Sequence, residues 1–261
     1  MKQWKKLADR LLFVLFILTV SLLSYSVSDG KEVSSYKVID EVLLTAAHAP
    51  SGWMLEKEVR TDEATLHTFE QIYGVRAQAI INQVFVANDK RLQINYCLFH
   101  HESAAGMAVL KMKSLVGNAS LIFEKKNVVI ELISEDPWLK LEALKRLRPD
   151  PINELLVTPK KLPQDWTLWD IVLVDQSKMP FFENRLGARI DTIINQIFNV
   201  GKEVVKINFV FCSNKSEGEK AYTHMKQLVS EDNMVIKKNR VVIEIVASKE
   251  HLRQVAKDIL D

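Results

Sequence analysis

Cysteine is nearly missing from this 261-residue chain: only Cys97 and Cys212 occur. Two thiols cannot make the dense disulfide framework of a small secreted module, and a chain this long builds a core without one. An excess of one charge is missing too. The formal net charge is +2, which gives no electrostatic reason to expect nucleic acid. The sequence contains no GxSxG elbow, Walker loop, GxGxxG turn or HExxH helix. Nucleophile, base and orienting group therefore cannot be nominated together, and neither a cofactor nor a metal site is expected.

Long apolar runs are confined to one place. Lys2, Lys5, Lys6 and Arg10 precede an uncharged stretch from Leu11 to Val27. A basic start, an apolar run and then small residues is the order of a secretory signal. Ser24 and Ser26 suit a cut after residue 26. The run also lies at the short edge of what spans a bilayer, so a retained N-terminal anchor is the rival reading. In both readings the remainder lies outside the cytoplasm, periplasmic or secreted. The only membrane contact is then through residues 11–27 of an uncleaved chain. Removing residues 1–26 leaves a net charge of −1. Residues 27–35 read as a short linker.

What is present is a repetition. "IINQVF" at residues 80–85 returns as "IINQIF" at 193–198. Sliding the chain against itself by 113 positions aligns it without a gap from Ile39 onward. "IDEVLLTAAHAPSGWMLEKEV" then lies over "INELLVTPKKLPQDWTLWDIV", and "FEQIYGVRAQAIINQVF" over "FENRLGARIDTIINQIF". The period exceeds a solenoid repeat and matches a small domain. Two copies of one fold are expected, at 36–148 and 149–261, joined at "RLRPDPINELL", where Pro149 and Pro151 end a helix.

Each copy predicts the same elements. A strand begins near Trp53 or Trp166. A short helix follows and ends at Gly74 or Gly187, with Pro180 in the first turn of the second. Two strands joined at "NDK" or "GKE" come next. A helix then carries an apolar stripe, Ala108, Met112, Leu115 and Val116, matched by Ala221, Met225, Leu228 and Val229. A hairpin with Lys125-Lys126 or Lys237-Lys238 at its tip precedes a closing helix. Asp136 is a good cap for that helix in the first copy and Ser248 in the second. The class is α+β: two tandem copies, each a mainly antiparallel sheet of about five strands with helices packed on one face.

Polar residues recur inside the apolar strands. Asn82 and Gln83 face opposite ways on a strand covered on both sides, as do Asn195 and Gln196. Their amides need partners, and Asn95 and Asn208 on the next strands suit them. Glu131 and Glu244 sit between apolar neighbours, where a carboxylate is costly unless paired. Arg76 and Arg189 are the expected ion-pair partners. These ten residues are the binding candidates, and a register-fixing structural role is the competing reading. His100-His101 is expected at a solvated strand end, because adjacent strand residues diverge. Cys97 and Cys212 face the same way in their own copies. Two buried free thiols are expected, and a disulfide requires the strands to meet. Asn118 and Asn214 stand in glycosylation sequons that do not correspond between copies.

The functional expectation is an exported, non-catalytic binding or sensor-like protein. Its partner is an unknown small molecule or envelope protein, held in a groove between the copies or on a sheet face. An extracytoplasmic hydrolase using Glu131 or Glu244 is one alternative, and a structural envelope component is another.

Overall fold

The computed structural model describes residues 33–116, 120–148, 154–174 and 176–261, with side chains from residue 36. The N-terminal segment 1–26, most of the 27–35 linker, and Asn118 lie outside the described residues. Among those described, no helix is long and apolar enough to cross a membrane. The chain divides into two compact units between Arg148 and Pro149.

Unit 1 contains α1 (Val33–Asp40), β1 (Met54–Arg60), α2 (Glu63–Tyr73), β2 (Ala79–Ala87), β3 (Lys90–Leu98), α3 (Glu102–Val116), β4 (Ser120–Lys125), β5 (Val128–Ile133) and α4 (Pro137–Leu147). Unit 2 contains β6 (Trp166–Leu173), α5 (Met179–Leu186), β7 (Ile190–Val200), β8 (Glu203–Cys212), α6 (Lys215–Gln227), β9 (Asn233–Lys238), β10 (Val241–Val246) and α7 (Glu250–Leu260). Each unit is one five-stranded sheet with every pairing antiparallel. The strand orders are β1-β2-β3-β5-β4 and β6-β7-β8-β10-β9. The protein is α+β, built from two tandem copies of one topology.

Local chemistry places the same stops in both copies. Gly74 and Gly187 end α2 and α5 in the left-handed region, with φ of 66° and 60°. Their N–H groups donate to the Glu70 and Glu183 carbonyls. Glycine takes this conformation without a Cβ penalty. Asp136 caps α4 by accepting from Trp138 and Leu139, with Pro137 in the first turn. The expected cap at Ser248 is not made: its hydroxyl donates to Glu203, and the N-cap of α7 is Lys249, which makes no side-chain cap bond. Lys125 and Lys238 do not simply project into solvent. Each ammonium reaches the C-terminal carbonyl of its unit's closing helix, Leu147 or Leu260, where a cation complements the helix dipole.

The central strands are apolar on both faces, so both need cover. In unit 1, Ile80, Cys97 and Val129 cluster with residues of α2 and α3. On the opposite face the Tyr96 hydroxyl accepts from the Leu44 N–H. That face also bears Phe123 and Lys125, whose ammonium reaches the end of α4. Helices thus cover one face through α2 and α3, and α4 joins the other, as strand alternation demands. In unit 2, Ile193, Val210 and Val242 likewise pack with α5 and α6. The apolar helical stripe is shorter than expected. Ala108, Met112 and Val116 are buried, but Leu115 is exposed. Leu228 and Val229 are exposed because α6 stops at Gln227.

Candidate functional site

Strand alternation builds three successive rows on the face covered by α2 and α3. The first row is Ile80, Cys97, Val129 and Glu124, of which the first three lie within the apolar cluster. The second is Asn82, Asn95 and Glu131, directly opposite one another on β2, β3 and β5. The third, Val84, Gln93 and Ile133, is only half-buried. A polar row therefore marks the line where helix cover ends.

In unit 1 the row is closed. Asn82 and Asn95 are each 9% exposed and Glu131 is 1% exposed. The Asn82 amide donates to Asn95 Oδ1, which also receives Gln93 Nε2 at 3.0 Å. Asn95 Nδ2 donates to Glu131 Oε2 at 2.8 Å. Glu131 Oε1 has no geometrically sound hydrogen bond. Burial pushes the Glu131 carboxyl above the ordinary carboxylate range, against the opposing influence of Asn95 and the nearby Ser120 hydroxyl.

In unit 2 the same row is open. Asn195, Asn208 and Glu244 are half-buried, and Lys206 replaces Gln93 as an exposed residue. Asn208 Nδ2 donates to Glu244 Oε2 at 2.9 Å. Asn233, at the position of Ser120, donates to Glu244 Oε1 at 2.9 Å. Asn195 faces Asn208 across the ladder, yet its Oδ1 has no partner. Both carboxylate oxygens are thus engaged in unit 2, whereas one amide oxygen is left over.

The two arginines do not join these rows. Arg76 pairs with Glu63 at 2.8 Å, and both side chains are well exposed. Arg189 is exposed; its backbone N–H donates to Glu217 Oε2 and its carbonyl accepts from the Ser213 N–H. The expected Arg76–Glu131 and Arg189–Glu244 pairs are therefore incorrect. Both arginines follow the glycine that ends a helix, outside the sheet, and the neighbouring strand's asparagine supplies the donor instead.

Gln83 and Gln196 occupy the other face and have diverged. Gln83 donates to Glu58 Oε2 at 2.9 Å. Gln196 makes two bonds to the Val157 backbone, accepting its N–H at 2.8 Å and donating to its carbonyl at 3.0 Å. Val157 corresponds to Leu44, whose N–H goes to the Tyr96 hydroxyl at 3.0 Å. Phe209 stands at the position of Tyr96 and Ile171 at that of Glu58. One buried N–H is satisfied in two different ways, which is a structural task.

The remaining motifs are also structural. His101 Nδ1 accepts the Ala104 N–H at the start of α3. Asn214, at the equivalent position, accepts the Glu217 N–H at the start of α6. A histidine pair and a sequon both resolve into helix caps. Cys97 and Cys212 are buried and free. Among the described residues no group of His, Cys, Asp and Glu is placed to hold a metal ion. The partners not anticipated are Gln93, Ser120, Asn233, Glu58 and Tyr96. Strand alternation from Asn95 points to Gln93, and Ser120 and Asn233 lie one same-face step along from Ile122 and Val235, which stand opposite Glu131 and Glu244.

Comparison of this chain with protein-family models, curated proteins and solved structures finds no match.

Proposed function

We propose that this chain is an exported, non-catalytic binding or sensor-like protein, and that unit 2 carries its recognition face. The reading is carried by one observation. The polar row repeated in both units is buried in unit 1 but half-exposed in unit 2, where Asn195 Oδ1, shielded from solvent within a half-buried side chain, lacks a donor. One unpaired acceptor beside a carboxylate suits a small ligand that brings an N–H donor, such as an amine or a primary amide, and that reaches it by a shift of the half-buried Asn195 side chain. Half-buried Ile197 and Val246 supply apolar contact next to the row. Export is supported by the basic start and apolar run before residue 28.

The test uses the chain from residue 27 onward and a panel of small amines, amino acids and amides. Backbone amide shifts of Asn195, Asn208, Asn233 and Glu244 are followed by NMR. Saturable shifts at these four positions, weakened by Asn195→Leu, support the reading. Shifts elsewhere, or none across the panel, defeat it. The polar rows then serve only to fix strand register, as in a structural envelope component.

A further inference from the structure

Glu131 and Glu244 occupy equivalent places, but only Glu131 is sealed from water. The groups around Glu131 are few. Asn95 and Cys97 face it from β3, and Tyr73 from α2. Ser120 stands on β4, whose Glu124 is exposed. α3 buries Ala105, Ala108, Met112 and Val116 in the cluster beside it, while Lys111 is exposed and Lys113 half-buried. Among the described residues no cation favours the charged form of Glu131; the hydrogen-bonding groups Asn95 and Ser120 do. A fully buried carboxylate with only neutral donors is expensive, and such groups keep their proton instead. Glu244 receives two amide donors and is half-exposed.

We infer that unit 1 is the proton-responsive half of this chain: it holds its helix-covered face closed with Glu131 protonated, and loosens along β4 and β5 when Glu131 ionises, while unit 2 does not respond. The escape route is short. Ser120 and Ile133 are half-buried at the open third row, so water enters there once the carboxylate demands hydration. The inference does not depend on the binding role given to unit 2.

The sign is fixed by linkage. A folded-state carboxyl raised above its unfolded value of about 4.3 binds its proton more tightly in the native state. That stability is fully present below the unfolded value and is lost as pH rises toward the folded one. Hydrogen exchange of the full chain at pH 5 and pH 8, corrected for intrinsic rates, tests this. Peptides of β4 and β5 are expected to lose protection at pH 8, by up to about tenfold for each pH unit separating the two ionisation ranges. Peptides of β9 and β10 are expected to hold theirs. Glu131→Gln and Glu131→Met each abolish the response, and Glu244→Gln does not. Should both Glu131 variants fail to fold, infrared spectroscopy of the unmodified chain decides. A protonated-carboxyl stretch at pH 7 that disappears on unfolding supports the inference. Equal responses in the two units, a response surviving in either Glu131 variant, or no such stretch overturns it.

Discussion

Lys90 at the head of β3 forms an ion pair with Asp136 at the start of α4, and at the same two places in unit 2 the charges are exchanged: Glu203 pairs with Lys249 at 3.0 Å. The connection between strand and closing helix is thus kept while each partner has changed sign. Only the unit 1 arrangement also caps its helix, because only aspartate offers an acceptor to the first turn.

Exchanging these charges separates pairing from capping. Lys90→Glu with Asp136→Lys keeps opposite charges but removes the cap, so unit 1 should lose about 1 kcal/mol. The reverse exchange in unit 2, Glu203→Lys with Lys249→Asp, places an acceptor at the N-cap and should stabilise α7 by about 1 kcal/mol. Urea unfolding with exchange read separately for the two halves measures both. Equal and opposite-signed results are expected; a destabilised unit 2 double variant would contradict the capping argument.

The Leu44 N–H offers a second exchange. Tyr96→Phe removes its acceptor in a buried setting, at a cost of about 1–3 kcal/mol. Adding Glu58→Ile releases the Gln83 amide and recreates the unit 2 set of residues. Part of the loss should return, as Gln83 takes the backbone bond that Gln196 makes to Val157. A double-mutant cycle on unit 1 stability reads the coupling. Strict additivity would show that the two solutions are not interchangeable.

Gly74 and Gly187 share a left-handed conformation but not their surroundings. A Cβ at Gly74 meets nothing within 4 Å, whereas one at Gly187 falls 2.9 Å from His224 Cε1. Gly74→Ala should cost about 1 kcal/mol from backbone conformation alone. Gly187→Ala should cost more, because the imidazole must swing aside. Adding His224→Ala is expected to close the gap between the two, measured by thermal unfolding.

Both thiols should resist alkylation while the chain is folded. Burial pushes Cys212 up to about 11 and Cys97 further still. The reactive thiolate is therefore scarce at pH 8. Rate should rise with pH more readily at Cys212 than at Cys97, and both should react fully in urea. Mass spectrometry after brief iodoacetamide exposure reports this, and rapid native labelling of Cys97 would refute it.

Much of the fold was legible because the two halves check each other. The strands around Asn82 and Asn195, and the glycine stops at Gly74 and Gly187, follow from alternation and turn chemistry written twice. The Asn82–Asn95 contact followed from placing adjacent strands in register. Partner choice for Glu131 was not legible. Charge complementarity favoured Arg76, but reach decides, and Arg76 lies beyond the helix end beside Glu63. The capping roles of His101 and Asn214 were hidden by their resemblance to unrelated motifs. Only the equivalence of their positions, 113 residues apart, links them. The different exposure of Glu131 and Glu244 was also invisible, since both lie in nearly the same letters.

Among the described residues, every ladder closes among strands of its own half. Copying or deleting one half in a single genetic event therefore breaks no strand pairing of the other. Each copy was consequently at liberty to accumulate its own substitutions, provided that the partner side chain within the same sheet changed with it.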